Sequence, residues 1–483
     1  MAATEYFPPL ERKQRREIRK ARIWASILER SDLCLSMERH RVHQPLRGSK
    51  ARGLRSRGLF ALLTQRERRG ELRPAEHLAV NEAFLPVGEN ANVFEVDHHD
   101  ERLYCGGFSP DGETFLVAGQ SEEVHIYDTN TWKRVDAYPV RDIRWTVTDA
   151  HFTPDAKGVL YSSITSMVRM VMQGGKECAF DLAKTARSSS TGRSMTQRRR
   201  DFGVWSLGVN AAGTEFLAGT SNNTVVLHDM TTNTSVCHLA GHDDHVNAIT
   251  FVDGPQSSNV FVSGSDDCLI KLWDRRMMSE SNARPQGVFV GRHDRPIPSF
   301  CLMQHVGHTD GITHMSSRDD GFYFVSNAKD QSAKLWDLRK CVTDEAKVQH
   351  LPRQFQWDYR FEEYPGNYEG EVADAHPQDQ SVMTYRGHAV KQTLIRAYFS
   401  PQNSTGQRYI YSGSADGEVV IYDVLSANVV DRLELMSQGV TRDVRWHPFK
   451  PMIVSPDFYG KLCVWQKEPL GHTVHDDDDD DDE

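Results

Sequence analysis

Short runs of alternating apolar and polar residues fill the chain from residue 104 to residue 466, and turns rich in Ser, Asn, Asp and Gly separate them. Apolar residues at every second position predict β-strands that turn one face toward a core. The runs repeat one order: an alternating strand, a turn, a strand with Ser-Gly-Ser or a variant, and a strand that ends in Trp-Asp or Tyr-Asp. This repeat predicts an all-β fold made of small antiparallel sheets.

Three repeats share a fixed spacing between the Asp of the turn and the aromatic residue of the following strand. In the clearest repeat, Asp267 precedes Trp273 by six positions, and His242 lies upstream in a Gly-His pair. The same six-position interval returns twice, with the residues His308, Asp330 and Trp336 and then His388, Asp416 and Tyr422.

These repeats resemble those of the WD40 family. In that family the Gly-His histidine, a strand serine, the turn aspartate and the strand tryptophan form a hydrogen-bonded chain, and the resemblance implies that Ser263 and Ser326 are the serines here. A buried imidazole, hydroxyl or indole N–H needs a partner, and the carboxylate orients the histidine. We therefore interpret these histidines as structural rather than as general bases or metal ligands.

Four weaker repeats bring the count to seven. The first of them ends at Asp128, the second spans 149–171, the third ends at Asp229 and the fourth ends at Trp465. Seven four-stranded blades closed into a ring leave only short, protected sheet edges. The sequence therefore predicts a seven-bladed WD40 β-propeller, which offers two faces and a rim to partners.

The pattern divides the chain into a basic N-terminal extension over 1–98, a propeller over 99–468 and an acidic tail over 469–483. Two stretches interrupt the repeat, at 176–200 and at 342–384, and we expect both to be loops that project from one face.

Charge separates the N-terminal extension from the rest of the chain. Residues 1–80 hold 19 Lys and Arg against 9 Asp and Glu, although the whole chain has a net charge of −10. Within this region, the pattern of residues 16–32 predicts a short amphipathic helix. Three alternatives are open: the helix docks on its own propeller, docks on a partner, or has no stable docking site. The arginine-rich residues 39–73 could bind nucleic acid or an import receptor, or form a disordered tail. We expect the acidic residues 476–483 to be exposed to solvent.

Composition limits the cellular context and the chemistry. The sequence is 39% hydrophobic and has no apolar run long enough to span a membrane. Its eight cysteines stand singly, so neither a zinc knuckle nor a redox dithiol is indicated. We expect a protein of the nucleus and cytoplasm with no cofactor and no metal. Nucleophile-elbow, zinc-protease, Walker A and dinucleotide-binding motifs are all missing from the sequence, which argues against an enzyme.

Two successive repeats end in Trp-Asp-x-Arg, at Trp273-Asp274-Arg275-Arg276 and at Trp336-Asp337-Leu338-Arg339. We expect Arg276 and Arg339 to leave their strands on one face with free guanidinium groups. Such a pair suits bidentate contact with carboxylates or carbonyl oxygens of a partner. A third match, at 357–360, lacks the preceding turn and is not counted with these two.

The doublet resembles the WD-repeat receptors that dock on the DNA-damage-binding adaptor of cullin-4 RING ligases, and further segments support this likeness, among them MTYRGH, WDYRF and RDVRWHPF. The resemblance implies that Arg276, Arg339, Asp274 and Asp337 contact the adaptor. It also implies that the other face and the loops hold a protein substrate for degradation, with a stress-response transcription factor among the targets.

The alternative hypothesis is a scaffold for nuclear ribonucleoprotein or chromatin that holds nucleic acid through the basic N-terminal extension. Salt sensitivity separates the two, because binding through that extension weakens steeply as salt rises. The arginine doublet favours the ligase receptor, so nucleic acid is not the expected partner.

Overall fold

The computed structural model describes residues 85, 91–185, 202–254, 257–277, 301–305, 308–340, 357–365, 379–434 and 439–467. These ranges form seven four-stranded antiparallel sheets, which confirms the predicted seven-bladed propeller. The predicted helix over 16–32, the basic 39–73 stretch and the acidic tail lie outside the described residues.

In blades 1 to 6 the four strands follow sequence order from the inside of the ring to its rim, whereas the outer strand of blade 7 is the first strand of the chain. Blade 1 contains β2 (Leu103–Phe108), β3 (Thr114–Gly119), β4 (Glu123–Asp128) and β5 (Arg134–Pro139); blade 2 contains β6 (Val147–Phe152), β7 (Gly158–Ser163), β8 (Met167–Met172) and β9 (Glu177–Asp181); and blade 3 contains β10 (Val204–Val209), β11 (Glu215–Thr220), β12 (Thr224–Asp229) and β13 (Thr234–Ala240). Blade 4 contains β14 (Val246–Phe251), β15 (Val260–Ser265), β16 (Ile270–Asp274) and β17 (Cys301–His305); blade 5 contains β18 (Ile312–Ser317), β19 (Tyr323–Ala328), β20 (Ser332–Asp337) and β21 (Met383–Tyr385); and blade 6 contains β22 (Ala397–Phe399), β23 (Tyr409–Gly413), β24 (Glu418–Asp423) and β25 (Val429–Glu434). Blade 7 contains β26 (Arg445–Trp446), β27 (Met452–Pro456) and β28 (Lys461–Lys467), and β1 (Ala91–His98) is its outer strand. Two helices of one turn, α1 (Leu182–Thr185) and α2 (Gln402–Thr405), and a 3-10 turn at Arg275–Met277 lie between strands. Within the described residues, no helix has the length and apolar character needed to cross a membrane.

The ring closes by pairing its two ends. Strand β1 lies antiparallel to β28, with Ala91 opposite Lys467 and His98 opposite Lys461. Residues 91–98 are therefore the outer strand of blade 7, and the predicted domain boundary after residue 98 is wrong. The pattern along the chain did not reveal this strand because its partner lies at the other end of the propeller.

The two predicted insertions are also shorter than expected. Strand β9 occupies 177–181 and lies within the first predicted insertion, and β21 occupies 383–385 and begins within the second, so both predicted insertions overlap the outer strand of a blade. An outer strand packs on one neighbour only and has little apolar alternation, as the single buried Phe180 of β9 illustrates. Such a strand gives a weak sequence signal.

The apolar core lies between neighbouring blades. Cys105 and Leu116 of blade 1, for example, share one buried cluster with Val147 and Tyr161 of blade 2. The glycine of the Ser-Gly-Ser strand allows this close approach, because a Cβ on Gly413 in blade 6 would collide with the carbonyl oxygen of Thr441 in blade 7. This contact explains why glycine recurs at that position of the repeat.

The two ends of the propeller differ in what they carry. At one end, which we call the Trp-Asp end, the third strands finish, as at Asp274 and Asp337. At the opposite end, the His-Asp end, the chain passes from one blade to the next and turns from the second strand to the third. His242 and Asp267 meet at this second end.

Charged side chains from different blades meet in the central channel. Arg396 of blade 6 pairs with Asp149 of blade 2 at 2.8 Å and with Asp443 of blade 7 at 3.1 Å. Tyr398 donates its hydroxyl to Asp443 at 2.8 Å, and all four side chains are buried. Burial alone raises the pKa of Asp149, but the Arg396 charge holds that pKa well below its usual value.

Candidate protein-interaction sites

The histidines of blades 4 and 5 lie in saturated hydrogen-bond chains. Trp273 donates its indole N–H to Ser263 Oγ at 2.8 Å, which lies 2.7 Å from His242 Nε2, and His242 Nδ1 lies 2.8 Å from Asp267 Oδ2. Blade 5 repeats the chain through Trp336, Ser326, His308 and Asp330, with distances of 2.7, 2.6 and 2.8 Å.

The electrostatics of these chains fit a structural role. Burial opposes ionisation of Asp267, yet the neighbouring His242 lowers the pKa of that carboxyl to about 2. Both ring nitrogens of His242 have partners, and the neighbouring Ser263 is buried and accepts the indole N–H of Trp273. The arrangement fixes the connection between blades to the strands beneath it.

The third set, in blade 6, is arranged differently from the prediction. His388 Nδ1 lies 2.8 Å from the Tyr422 hydroxyl, and His388 Nε2 lies 2.8 Å from Asn327 Oδ1 of blade 5. Asp416 instead accepts a hydrogen bond from Ser414 at 3.4 Å. The predicted His388–Asp416 pair is wrong because the phenol of Tyr422 reaches the imidazole directly and occupies the nitrogen that would face the carboxylate.

Arg276 and Arg339 lie at the Trp-Asp end, on neighbouring blades, but their guanidinium groups are not free as predicted. Arg276 Nε lies 2.9 Å from Asp274 Oδ1, and its backbone N–H donates to the same oxygen at 2.9 Å. Arg339 Nε likewise lies 2.8 Å from Asp337 Oδ1. Two residues of separation place each arginine over its own Trp-Asp aspartate, and we call this arrangement an Asp-x-Arg clamp.

The clamps still present positive charge to solvent. The side chain of Arg276 is 65% exposed and that of Arg339 is 46% exposed. Each aspartate takes the Nε side of a planar guanidinium, so Nη1 points away from it and remains available to a partner. The clamp therefore orients each arginine and leaves part of its hydrogen-bonding capacity unused.

Arg339 has additional neighbours that the sequence analysis missed. Its guanidinium carbon lies 4.6 Å from the centre of the Phe322 ring, and its Nη2 donates to the Tyr323 hydroxyl at 3.1 Å. Tyr323 pairs with Asp337 across the β19–β20 hairpin, so the register of this hairpin could have identified both aromatic residues. In blade 4, Asn259 and Val260 stand at the corresponding positions.

The third Trp-Asp-x-Arg match also forms a clamp, but at the other end of the propeller. Arg360 Nε lies 2.9 Å from Asp358 Oδ1. Trp357 donates its indole N–H to Asp310 at 3.0 Å, and Asp310 closely follows His308 at the His-Asp end. The sequence analysis did not count this match with the other two. In the structure it lies at the opposite end of the propeller from Arg276 and Arg339.

One group of potential metal ligands lies in the described ranges. Asp244, His245 and Asp266 place their ligand atoms within 4.8 Å of one another. Lys329 Nζ lies 2.6 Å from Asp266 Oδ1 and already supplies a positive charge there. This geometry gives no reason to prefer a metal ion over the ammonium group.

Comparison with known proteins agrees with the fold. The family model "WD domain, G-beta repeat" matches residues 233–274, 299–337 and 379–423, which include the three clearest repeats. The fold and its hydrogen-bond chains define the chain as a WD40-repeat propeller.

The chain is 36% identical over 403 residues to the LEC14B protein of Lithospermum erythrorhizon, covering 82% of this chain and 79% of that protein. It is 34% identical over 399 residues to the LEC14B homolog of Prunus armeniaca, covering 82% and 78%. The chain belongs to this LEC14B family of WD40-repeat proteins. It is also 32% identical over 385 residues to the DDB1- and CUL4-associated factor 11 homolog of Caenorhabditis elegans, covering 77% of this chain and 62% of that protein.

Proposed function

We propose that the chain is the substrate-recognition subunit of a cullin-4 RING ubiquitin ligase. In this proposal Arg276 and Arg339, held by Asp274 and Asp337, contact the DNA-damage-binding adaptor. The observation that carries the proposal is the pair of Asp-x-Arg clamps at one end of two neighbouring blades. The similarity to proteins named for association with DDB1 and CUL4 supports it.

The proposed mechanism is proximity rather than catalysis by this chain. Binding the adaptor at the Trp-Asp end and a target at the His-Asp end holds a target lysine near the ubiquitin-loaded enzyme of the ligase. This raises the effective concentration of the reacting groups without any bond being broken by the chain itself. The proposal includes residence in the nucleus and cytoplasm, which imaging of a fluorescent fusion tests.

Co-purification tests the adaptor contact. The tagged full-length chain and an Arg276→Ala/Arg339→Ala variant are purified from cells, and the adaptor and cullin recovered with each are quantified. We expect the wild type to recover both and the double variant to lose them. Arg360→Ala is the matched control, since it removes the same kind of clamp from the opposite end and is expected to leave recovery unchanged.

Thermal melting of each variant separates loss of contact from loss of fold. Equal recovery by the wild type and the folded double variant contradicts the assigned contact. A folded wild type that recovers neither protein contradicts the ligase proposal as a whole. The nucleic-acid scaffold has less support, because it depends on a basic segment outside the described residues and the comparisons do not favour it.

A further inference from the structure

Residues 357–365 form a short turn that is firmly attached to the His-Asp end of the propeller. Trp357 bonds to Asp310, and the ring of Tyr359 covers the Lys329 ammonium group, 4.1 Å from the ring centre. The backbone N–H of Gln392 donates to the Tyr359 carbonyl at 2.6 Å. The turn is therefore held by both blade 5 and blade 6.

The carboxylates of this turn have partners within the molecule. Asp358 holds Arg360, Glu362 accepts the backbone N–H of Asp358 at 2.9 Å, and Glu363 pairs with Lys391 at 2.9 Å. Tyr364 is buried and contacts the Trp357 ring edge to face. These contacts fix the conformation from which Arg360 and Phe361 project.

Arg360 and Phe361 are exposed at the tip of the turn, next to the exposed carboxylates Glu362 and Glu363. The Arg360 side chain is 58% exposed, and Phe361, at 84%, is the most exposed large hydrophobic residue in the described part of the chain. The Arg360 guanidinium carbon lies 5.4 Å from the centre of the Phe361 ring. Because Asp358 takes the Nε side of this guanidinium, the Nη1–Nη2 edge remains for a second, bidentate acceptor.

These features suit protein recognition. A single exposed apolar residue is ordinary on a protein surface, but this ring stands beside an oriented arginine on an anchored turn. Aromatic residues and arginine dominate the energetically important contacts of protein interfaces. A turn that is already ordered loses less conformational entropy when a partner binds.

We propose that Arg360 and Phe361 form a second protein-binding surface, which takes a segment of a target protein with an acidic residue next to an apolar side chain. The carboxylate of the segment pairs with the outer edge of Arg360, and the apolar side chain covers the Phe361 ring. The identification of the bound protein as a degradation target rests on the proposed ligase function. The chemistry of the binding surface is independent of that function.

A phage-displayed library of random peptides about a dozen residues long tests this surface. The full-length wild-type chain serves as bait, and the enriched peptides are then synthesised and titrated by fluorescence anisotropy. We expect enriched sequences to combine an acidic residue with a neighbouring apolar one. Arg360→Ala and Phe361→Ser should each weaken their binding about tenfold, the effect of losing one well-placed contact.

The Arg276→Ala/Arg339→Ala variant is the matched control and should bind the peptides as the wild type does. Lack of enrichment over an empty support, equal binding to the Arg360 and Phe361 variants, or selection of basic peptides would each overturn the proposal. Peptide binding that survives while no adaptor is recovered would reject the ligase proposal and keep this one. The two failures are therefore distinguishable.

Discussion

Phe322 offers a test of how the propeller prepares Arg339 for a partner. The ring lies 4.6 Å from the guanidinium carbon, and Phe322→Leu removes this cation–π contact while keeping an apolar side chain. At a partly exposed site such a contact is worth about 0.5–1 kcal/mol. If the ring orients Arg339 for the adaptor, Phe322→Leu should raise the adaptor Kd about two- to fivefold.

Isothermal titration calorimetry with purified adaptor measures this change, and a double-mutant cycle assigns its cause. Arg339→Ala alone should weaken binding by about 2 kcal/mol, as expected for an interface arginine that carries much of the binding energy. Phe322→Leu should then have no further effect in the Arg339→Ala background. Phe361→Leu is the matched control at the opposite end. An effect of Phe322→Leu that is the same with and without Arg339 would refute this reasoning.

Further predictions concern stability. Asp149→Asn leaves the buried Arg396 with one carboxylate partner fewer and should lower the free energy of unfolding by about 3–5 kcal/mol in urea titrations. Asp142→Asn, in an ion pair whose carboxylate is half-exposed, should cost at most about 1 kcal/mol. Equal losses would contradict the role given to burial. Burial lowers the pKa of His388 to about 4. Because the unfolded chain then takes up a proton at a higher pH than the folded chain, wild-type stability should fall as pH drops from about 6.5 to 4. Unfolding midpoints measured across this range should change less for a folded His388→Gln variant, and an unchanged slope would rule His388 out as a source.

The repeated pattern predicted much of the propeller because it is local. The six-position interval from Asp267 to Trp273 lies within one turn and one strand, and it identified the hydrogen-bond chains of blades 4 and 5. The closing strand β1 depends on a partner at the far end of the propeller, so no local pattern could reveal it. The weak alternation of β9 and β21 caused the errors in the insertion boundaries.

The candidate sites depended on contacts that a motif does not encode. Trp-Asp-x-Arg at 273–276, 336–339 and 357–360 gives the same clamp each time, yet the third copy lies at the other end of the molecule. The docking of Trp357 against Asp310 and of Tyr359 against Lys329 shows this. From the motif we also predicted free arginines, because we gave the aspartate of Trp-Asp a role within its strand. We did not expect it to bind the guanidinium group two residues further on.

The charged side chains in the channel have a consequence for how such a ring can be altered. In many repeat proteins each unit contacts only its neighbours, so repeats can be removed or exchanged with local effects. Here Arg396 joins blade 6 to blade 2, which is as distant as two blades of a seven-membered ring can be. Deleting or transplanting one of these blades would remove one partner of a buried charge on the far side of the ring. The seven blades are therefore expected to unfold in one transition and to be retained together during evolution.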